Sequence, residues 1–525
     1  MKPARHVHLA DTRLAHDLAA LAEVLPRLFP LELSGGADEP AKLAGRVTGA
    51  STSAAAGEPC LVLPPARSEP GNEPLAATQI RFADDASVPW PFRARRVDVA
   101  ASLERSVHGT LGCPGQTVLA TDQDGTPVWT KDGRGPAPIY RTSLRPPDAR
   151  AGSDVGVAAG GERFFQALPL LHFLRELTGD ELLSNPTLRA SYIIDDPNLH
   201  WPNYGYANYR EIAESARRHN YHVAFATIPL DSWWVHAGAA NIFRTHADRL
   251  SLLIHGNNHA KHELALDCSP EDCAALLTQA VARIGSLEAK SGVQVSRVMV
   301  PPHGACSGRM LAALPSHGFE GACISAGSLR AHNDGEAWTA SLGLAPSELV
   351  HGCPVLPRWA FAGTTTTMLL VAAYLGQPLV LRGHHQDLKG GLDIFRSFAD
   401  TINAFGDVHW GSLTELCRLN YRQRVEGTRL HLEPLATRVD VTVPDGVTSL
   451  HLRPGGFEWE AIDPSVRLES DGPELVAGVR GGQVCSFARR VPTHTTIAQT
   501  STRPTSAKLI LRRILTETRD RLRVA

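Results

Sequence analysis

Residues 190–198 read Ala-Ser-Tyr-Ile-Ile-Asp-Asp-Pro-Asn, and residues 250–259 read Leu-Ser-Leu-Leu-Ile-His-Gly-Asn-Asn-His. Each is a short apolar run that ends abruptly in side chains able to bind a metal or carry a proton. An apolar run without alternation predicts a strand buried on both faces. Five more such runs occur, at Val223–Ile228, Arg297–Val300, Gly321–Ser325, Pro354–Arg358 and Pro378–Leu381. Amphipathic stretches lie between them, at Tyr209–His219, Pro270–Lys290, Gly308–Ser316 and Thr364–Leu375. Doubly buried strands alternating with helices predict a parallel sheet covered by helices. Seven units in about 230 residues predict an α/β barrel rather than an open sheet.

A parallel barrel builds its site at the C-terminal ends of its strands. The residues that follow the runs are Asp195 and Asp196; Asp231, Trp233 and Trp234; His255 and His259; Pro301, Pro302 and His303; Arg358 and Trp359; and His384, His385 and Asp387. Metal-type ligands from several strands thus converge on one rim. Two adjacent carboxylates at a strand end repel each other, and burying them costs several kcal/mol each unless a cation compensates. Consecutive strand residues point in different directions, so one carboxylate can bind a metal while the other faces a substrate or water. His255 and His259, four apart on a turn, can share one ion. One of His384 and His385 can serve as a general acid near neutral pH. Trp201, Trp233, Trp234 and Trp359 lie near the same rim, where an aromatic ring can stack on a sugar.

Outside this region the texture changes. Residues 1–150 are rich in Pro, Gly and Ala. A helix is expected over Asp11–Leu28, and strands at Cys60–Leu63, Thr78–Phe82 and Thr117–Ala120, the last followed by a turn at Asp122–Gly125. This predicts a small α/β domain without a catalytic cluster. Arg145–Gly161 reads as a linker, and a helix at Glu162–Leu177 opens the middle domain, 151–425. Residues 426–525 alternate as β-strands with Pro/Gly turns and close with a basic amphipathic helix, Ala507–Arg521, which predicts a β-sandwich plus a terminal helix.

The balance of 52 Lys and Arg against 54 Asp and Glu gives a formal charge of −2, which favours neither nucleic acid nor an anionic membrane as partner. The N-terminus lacks the apolar run of a secretory signal, and no stretch is long enough to span a membrane, so the expected compartment is the cytoplasm. Nine scattered cysteines, Cys268 and Cys273 the nearest pair, form no CxxC pattern and predict reduced thiols.

The stretches at 192–198 and 255–259, followed by Val300-Pro-Pro-His-Gly304 and Val380-Leu-Arg-Gly-His-His385, resemble in order the motifs of the polysaccharide deacetylase family, carbohydrate esterase family 4. The resemblance covers roughly 185–425. It implies a distorted (β/α)7 barrel in which Asp195 is the catalytic base, Asp196, His255 and His259 hold the metal, and His384 is the general acid. The family's third motif, Arg-x-Pro-Tyr, keeps here only its proline, and Pro197 stands where the family has glycine. Arg297, Arg358 or Arg382 could replace the missing arginine that orients the base. The implied activity is hydrolysis of an N-acyl, first of all N-acetyl, group from an amino sugar or glycan intermediate. The implied cofactor is a divalent metal, zinc before Co2+, Mn2+, Fe2+ or Ni2+. Trp201, Trp233, Trp234, His303, Arg358, Trp359 and His385 are the candidate substrate contacts. The alternative is a non-catalytic carbohydrate-binding or scaffold protein that retains the barrel. A glycoside hydrolase would need a second carboxylate about 5–9 Å from Asp195, for which Glu263 and Asp387 are the candidates.

Overall fold

The computed structural model describes residues 5–35, 43–49, 57–66, 75–106, 111–185, 187–266, 269–333, 341–491 and 507–522; Cys268 lies outside them. The chain forms two units. One comprises Met1–Leu182, Thr339–Ala345 and Thr365–Leu375, the other Leu183–Trp338, Pro346–Thr364 and Gly376–Ala525.

The first unit is built on a nine-stranded mixed sheet. Leu31–Gly35, Arg5–Leu9, Gly45–Gly49, Cys60–Leu63 and Ile139–Thr142 run parallel. Pro127–Asp132, Thr117–Thr121, Leu75–Phe82 and Arg96–Arg105 extend the sheet antiparallel. The expected helix over 11–28 is two helices, Thr12–Asp17 and Ala19–Leu28, broken at Leu18. The helix Phe164–Thr178 belongs to this unit and not to the barrel-like one that it was expected to open. Twelve of its 15 residues are buried, and a helix that is apolar all round must be enclosed on every side.

All seven apolar runs of the middle region are strands of one sheet in the second unit. Its order is Glu348–Val350, Cys353–Leu356, Gly321–Cys323, Val295–Met299, Leu250–Ile254, Val223–Thr227, Leu188–Asp195, Leu379–His384, Trp359–Ala360, with Val408–Trp410 also on Leu188–Asp195. Every pairing is parallel except that of the edge hairpin Glu348–Val350 with Cys353–Leu356. The sheet curls. Segment 353–360 pairs with Gly321–Cys323 through its first half and with Leu379–His384 through its second, changing partner at Pro357-Arg358. Ile193, Ala224, Leu253, Val298, Cys323, Leu356 and Val380, one from each run, share a single buried cluster that Leu413, Leu416 and Cys417 of the helix Leu413–Arg418 complete. The result is an α/β unit with a partly barrel-like sheet. Asn208 caps Tyr209–His219, Ser269 caps Pro270–Ser291, and Gly292 ends the latter in a left-handed turn.

The C-terminal strands form two further sheets. One has the order Tyr421–Glu426, Arg429–Pro434, Ser449–Leu452, Glu474–Gly478, Glu469–Asp471; the other is Arg438–Thr442, Val484–Arg489, Trp459–Ala461. Leu430, Leu432, Leu450 and Leu452 from the first meet Val439, Val441, Cys485 and Phe487 from the second in one core. Arg189, 1% exposed near the start of the strand Leu188–Asp195, donates to Asn420 Oδ1 (2.6 Å), and Asn420 Nδ2 donates to Leu435 O (3.0 Å), tying these strands to the curled sheet.

His222 is buried before the Val223–Thr227 strand, 2.8 Å from Ser251 Oγ, and burial pushes its pKa down to about 4. The unfolded chain binds this proton near pH 6.5, so the neutral buried ring contributes stability that is full above pH 6.5 and is lost as pH falls towards 4. The loss is about 3 kcal/mol at one pKa unit per 1.36 kcal/mol. Urea unfolding at pH 7 and 4.5 should show a clearly smaller decline for His222→Gln than for the wild type; parallel declines would assign the acid lability elsewhere.

Candidate functional site

Leu188–Asp195 carries the acidic pair to the rim, with Asp195 level with Ala226 on one side and His384 on the other. Asp196 then turns at φ +84°. For a non-glycine residue this conformation costs on the order of 1 kcal/mol. It sends the two carboxylates apart. Asp195 receives Arg358 Nη1 at 3.3 Å, both side chains being 4% exposed. Of Arg297, Arg358 and Arg382, Arg358 is the one that contacts it. Arg297 is engaged with Glu288 at 2.7 Å.

Asp196 faces the histidines instead. Its Oδ1 lies 3.2 Å from His259 Nε2 and 3.6 Å from His255 Nε2. The same oxygen is buried and has no hydrogen-bond partner. His255 Nδ1 lies 2.8 Å from Val300 O. That contact takes the ring proton and leaves the Nε2 lone pair turned towards Asp196, the arrangement that presents imidazole to a metal. Burial pushes the pKa of both histidines down, and at His259 the neighbouring His255 adds to the effect, which favours the neutral ligand form. Burial alone would raise Asp196, but His255, His259, Arg513 and His384 together hold it below the usual carboxylate range. These three ligand atoms all lie within 4.8 Å of one another, and ligands at about 2.0–2.2 Å from a shared ion would stand close to the separations seen. The donor set and the orphaned oxygen fit a divalent cation.

The histidine loop is held by Glu263, 4% exposed, whose carboxylate accepts from the backbone N–H of Asn257 (2.8 Å), Asn258 (3.0 Å) and His259 (2.9 Å). Gly256 is obligatory here: it turns at φ +65°, and a Cβ would stand 2.5 Å from Glu263 Oε1 and 2.7 Å from Pro302. His259 and His303 also adopt positive φ, 53° and 59°. Strain is thus concentrated around the Asp196 cluster, as is common at functional sites. Asp387 accepts from the His384 N–H at 2.8 Å, and the His384 ring accepts in return from the Asp387 backbone. That cap uses one ring nitrogen of His384 and leaves the other outside it. Of the two candidate second carboxylates, Glu263 is taken up by three backbone N–H groups, and Asp387 accepts the His384 N–H through one oxygen.

The other sequence candidates divide. Trp201 (47% exposed), Trp233 (60%) and Trp234 (38%) cluster around His200 and His236. His303 is exposed, its ring 5.3 Å from that of His259, and Trp359 is half-buried. Arg358 is buried on Asp195 and not open to a ligand. His385 is buried between Tyr204 and Tyr206.

Sequence reasoning gave the terminal helix no part in the site, yet the described helix Ala507–Leu522 lies on this rim. Arg513 donates through Nε to Asp231 (2.8 Å) and through Nη2 to the Asp196 carbonyl (3.0 Å). Glu517 lies 3.0 Å from His200 Nδ1, and Asp520 lies 4.0 Å from His385 Nε2. The three share a helix face at i, i+4 and i+7. That charged stripe was the available signal, but its partners are far off in sequence, some 300 residues away for Arg513 and Glu517 and 135 for Asp520.

Arg513→Met would leave Asp231, 3% exposed, without its cation. Removing one partner of a buried ion pair costs about 3–5 kcal/mol, enough to detach a marginal helix. Hydrogen exchange over 507–522 should lose its protection in this variant; unchanged protection would mean that the helix is held by other contacts.

No family model matches the sequence, and no curated protein matches it. Solved structures similar to it include a family 4 carbohydrate esterase from Streptomyces lividans in complex with acetate, at 11% identity and TM-score 0.27 over 44% of this chain and 94% of that one. A Streptococcus mutans CE4 esterase matches at 12% identity and TM-score 0.27 over 43% and 87%. The catalytic domain of a peptidoglycan N-acetylglucosamine deacetylase from Eubacterium rectale matches at 11% identity and TM-score 0.27 over 44% and 92%. At these values the likeness carries no functional argument, which rests on the site's own geometry.

Proposed function

We propose that the chain is a metal-dependent hydrolase that removes an N-acyl, first of all N-acetyl, group from an amino sugar or glycan intermediate. The observation that carries this reading is the split of one acidic pair: Asp196 joins two neutral-type histidines, while Asp195 sits on Arg358 beside His384. Asp196, His255 and His259 would hold the ion, zinc being the first choice for two nitrogens and a carboxylate. When bound, such an ion acidifies water and polarises an acyl carbonyl. Asp195, fixed by Arg358, accepts the proton of the attacking water. His384, with its free ring nitrogen protonated, donates to the departing amine. The exposed Trp201, Trp233 and Trp234 offer flat apolar faces for a sugar ring. Among the described residues no helix is long and apolar enough to cross a membrane. A cytoplasmic location would favour a soluble precursor over a wall polymer.

Metal content and amine release from a panel of N-acetylated sugars test this together. His255→Ala or Asp196→Ala should lose the barrel ion, since each removes one of three protein ligands. Asp195→Asn should keep the ion and the fold yet lower turnover roughly 10²–10⁴-fold. Loss of the metal in Asp195→Asn would make Asp195 a ligand and refute the division of roles. Binding of acylated sugars by the wild type without amine release would favour a carbohydrate-binding scaffold.

His384 and His385 can be separated in the same assay. His385 is buried against two tyrosines and Asp520, whereas His384 keeps an available ring nitrogen. His384→Ala should cost more turnover than His385→Ala, with metal retained in both. Equal or reversed losses would reassign the proton donor.

A further inference from the structure

A second cluster of metal-type side chains lies in the C-terminal strands, apart from the barrel rim. Arg429–Pro434 and Ser449–Leu452 pair in parallel with His431 level with His451. Glu474–Gly478 pairs with the other edge of Ser449–Leu452, His451 being opposite Val476. Glu474, two residues before Val476, falls on the same face as His451. This is the face turned away from the leucine core, because Leu430, Leu432, Leu450 and Leu452 occupy the other.

The side chains are nevertheless largely enclosed: His431 is 11% exposed, His451 12% and Glu474 22%. His431 Nδ1 lies 3.7 Å from Glu474 Oε1, and His451 Nδ1 lies 3.2 Å from Glu474 Oε2. The two rings are 5.2 Å apart. The opposite nitrogens have their own neighbours. His451 Nε2 is 3.3 Å from Ser449 Oγ, and His431 Nε2 is 3.5 Å from Glu426 Oε2. Placing each ring proton on Nε2, towards the serine and the glutamate, points both Nδ1 lone pairs at the Glu474 carboxylate. With the proton on Nδ1, His451 donates to Glu474 Oε2 (3.2 Å); with it on Nε2, the two lone pairs and the carboxylate present three donors to a single cation. Neither ring nitrogen of His431 has a hydrogen-bond partner, although both are out of solvent, and a buried polar group left in this state needs an explanation.

We propose that His431, His451 and Glu474 bind a second divalent transition-metal ion, with zinc the best match, which clips three neighbouring strands of the C-terminal sheet together. Two imidazoles and one carboxylate are a zinc-type donor set and a poor one for calcium or magnesium, which take oxygen. Ligand atoms within 4.8 Å of one another fit one ion. Ser449 Oγ meets the far nitrogen of the His451 ring, as the outer partner of a metal-bound histidine does, and Glu426 Oε2 stands 3.5 Å from that of His431. Arg453 Nε, 3.5 Å from Glu474 Oε1 on a side chain 48% exposed, shares the carboxylate from the solvent side. The site is distinct from the proposed catalytic centre and does not depend on it.

The test uses the full chain with His255→Ala and His259→Ala together, which disables the barrel cluster. After chelation and dialysis against zinc, this variant should retain one equivalent of zinc by mass spectrometry. Zinc at about a hundred times its Kd should also raise its Tm by several degrees. Adding Glu474→Gln, which keeps the side-chain shape, should abolish both effects; His451→Gln serves as the second variant should the first fail to fold. A barrel-disabled chain that takes up no zinc would overturn the proposal without reference to any cluster variant. So would an equivalent of zinc that persists through both Glu474→Gln and His451→Gln.

Discussion

Two negative charges on consecutive residues, held at the end of a buried strand, must be given separate partners or one of them must be neutralised. The neighbourhood of Asp195 and Asp196 follows from that requirement. Asp196 accepts an unfavourable positive φ so that its carboxylate leaves the line of its neighbour. Arg358 arrives from the joint between Cys353–Leu356 and Trp359–Ala360 to meet the first carboxylate, and two histidines on a glutamate-pinned loop meet the second. Each partner brings its own support. His255 leans on the Val300 carbonyl, and the His259 loop on Glu263 and a glycine that nothing larger could replace.

The fold was legible where burial leaves a one-dimensional trace. Val223–Thr227 and Leu250–Ile254 are enclosed on both faces, so they are continuous apolar words that end where the strands end. Tyr209–His219 carries both its cap and its stop in its own residues. The opening strands of the first unit left no such trace. Arg5–Leu9, Leu31–Gly35 and Gly45–Gly49 are mixed in polarity and are made strands by their neighbours in the sheet. The helix Phe164–Thr178 is legible as a helix but its unit is not, because a uniformly apolar surface does not say what encloses it.

The candidate site divides the same way. Asp195, Asp196, His255 and His259 advertise themselves because their chemistry is local: a pair, and a pair four apart at a strand end. Arg358 could be named only as one of three, since the choice depends on which strand returns beside Leu379–His384. Arg513, Glu517 and Asp520 were beyond reach. A charged stripe on a terminal helix is ordinarily solvated, and only folding reveals that Asp231, His200 and His385 wait for it. His431 and His451 are 20 residues apart in sequence, and strand pairing alone makes them neighbours.

The change of partner at Pro357-Arg358 has a dynamic meaning. Proline cannot donate a ladder hydrogen bond, so the segment is released from one neighbour just where the next residue must turn inward to Asp195. Arg358 is therefore carried on the joint between the two ends of the sheet. The anchor of the acidic pair and the curl of the sheet then form or fail as one cooperative unit. Any fluctuation that opens this seam withdraws the guanidinium from Asp195 at the same moment, so the pairing of the sheet at this joint and the order of the charge at the rim are one property.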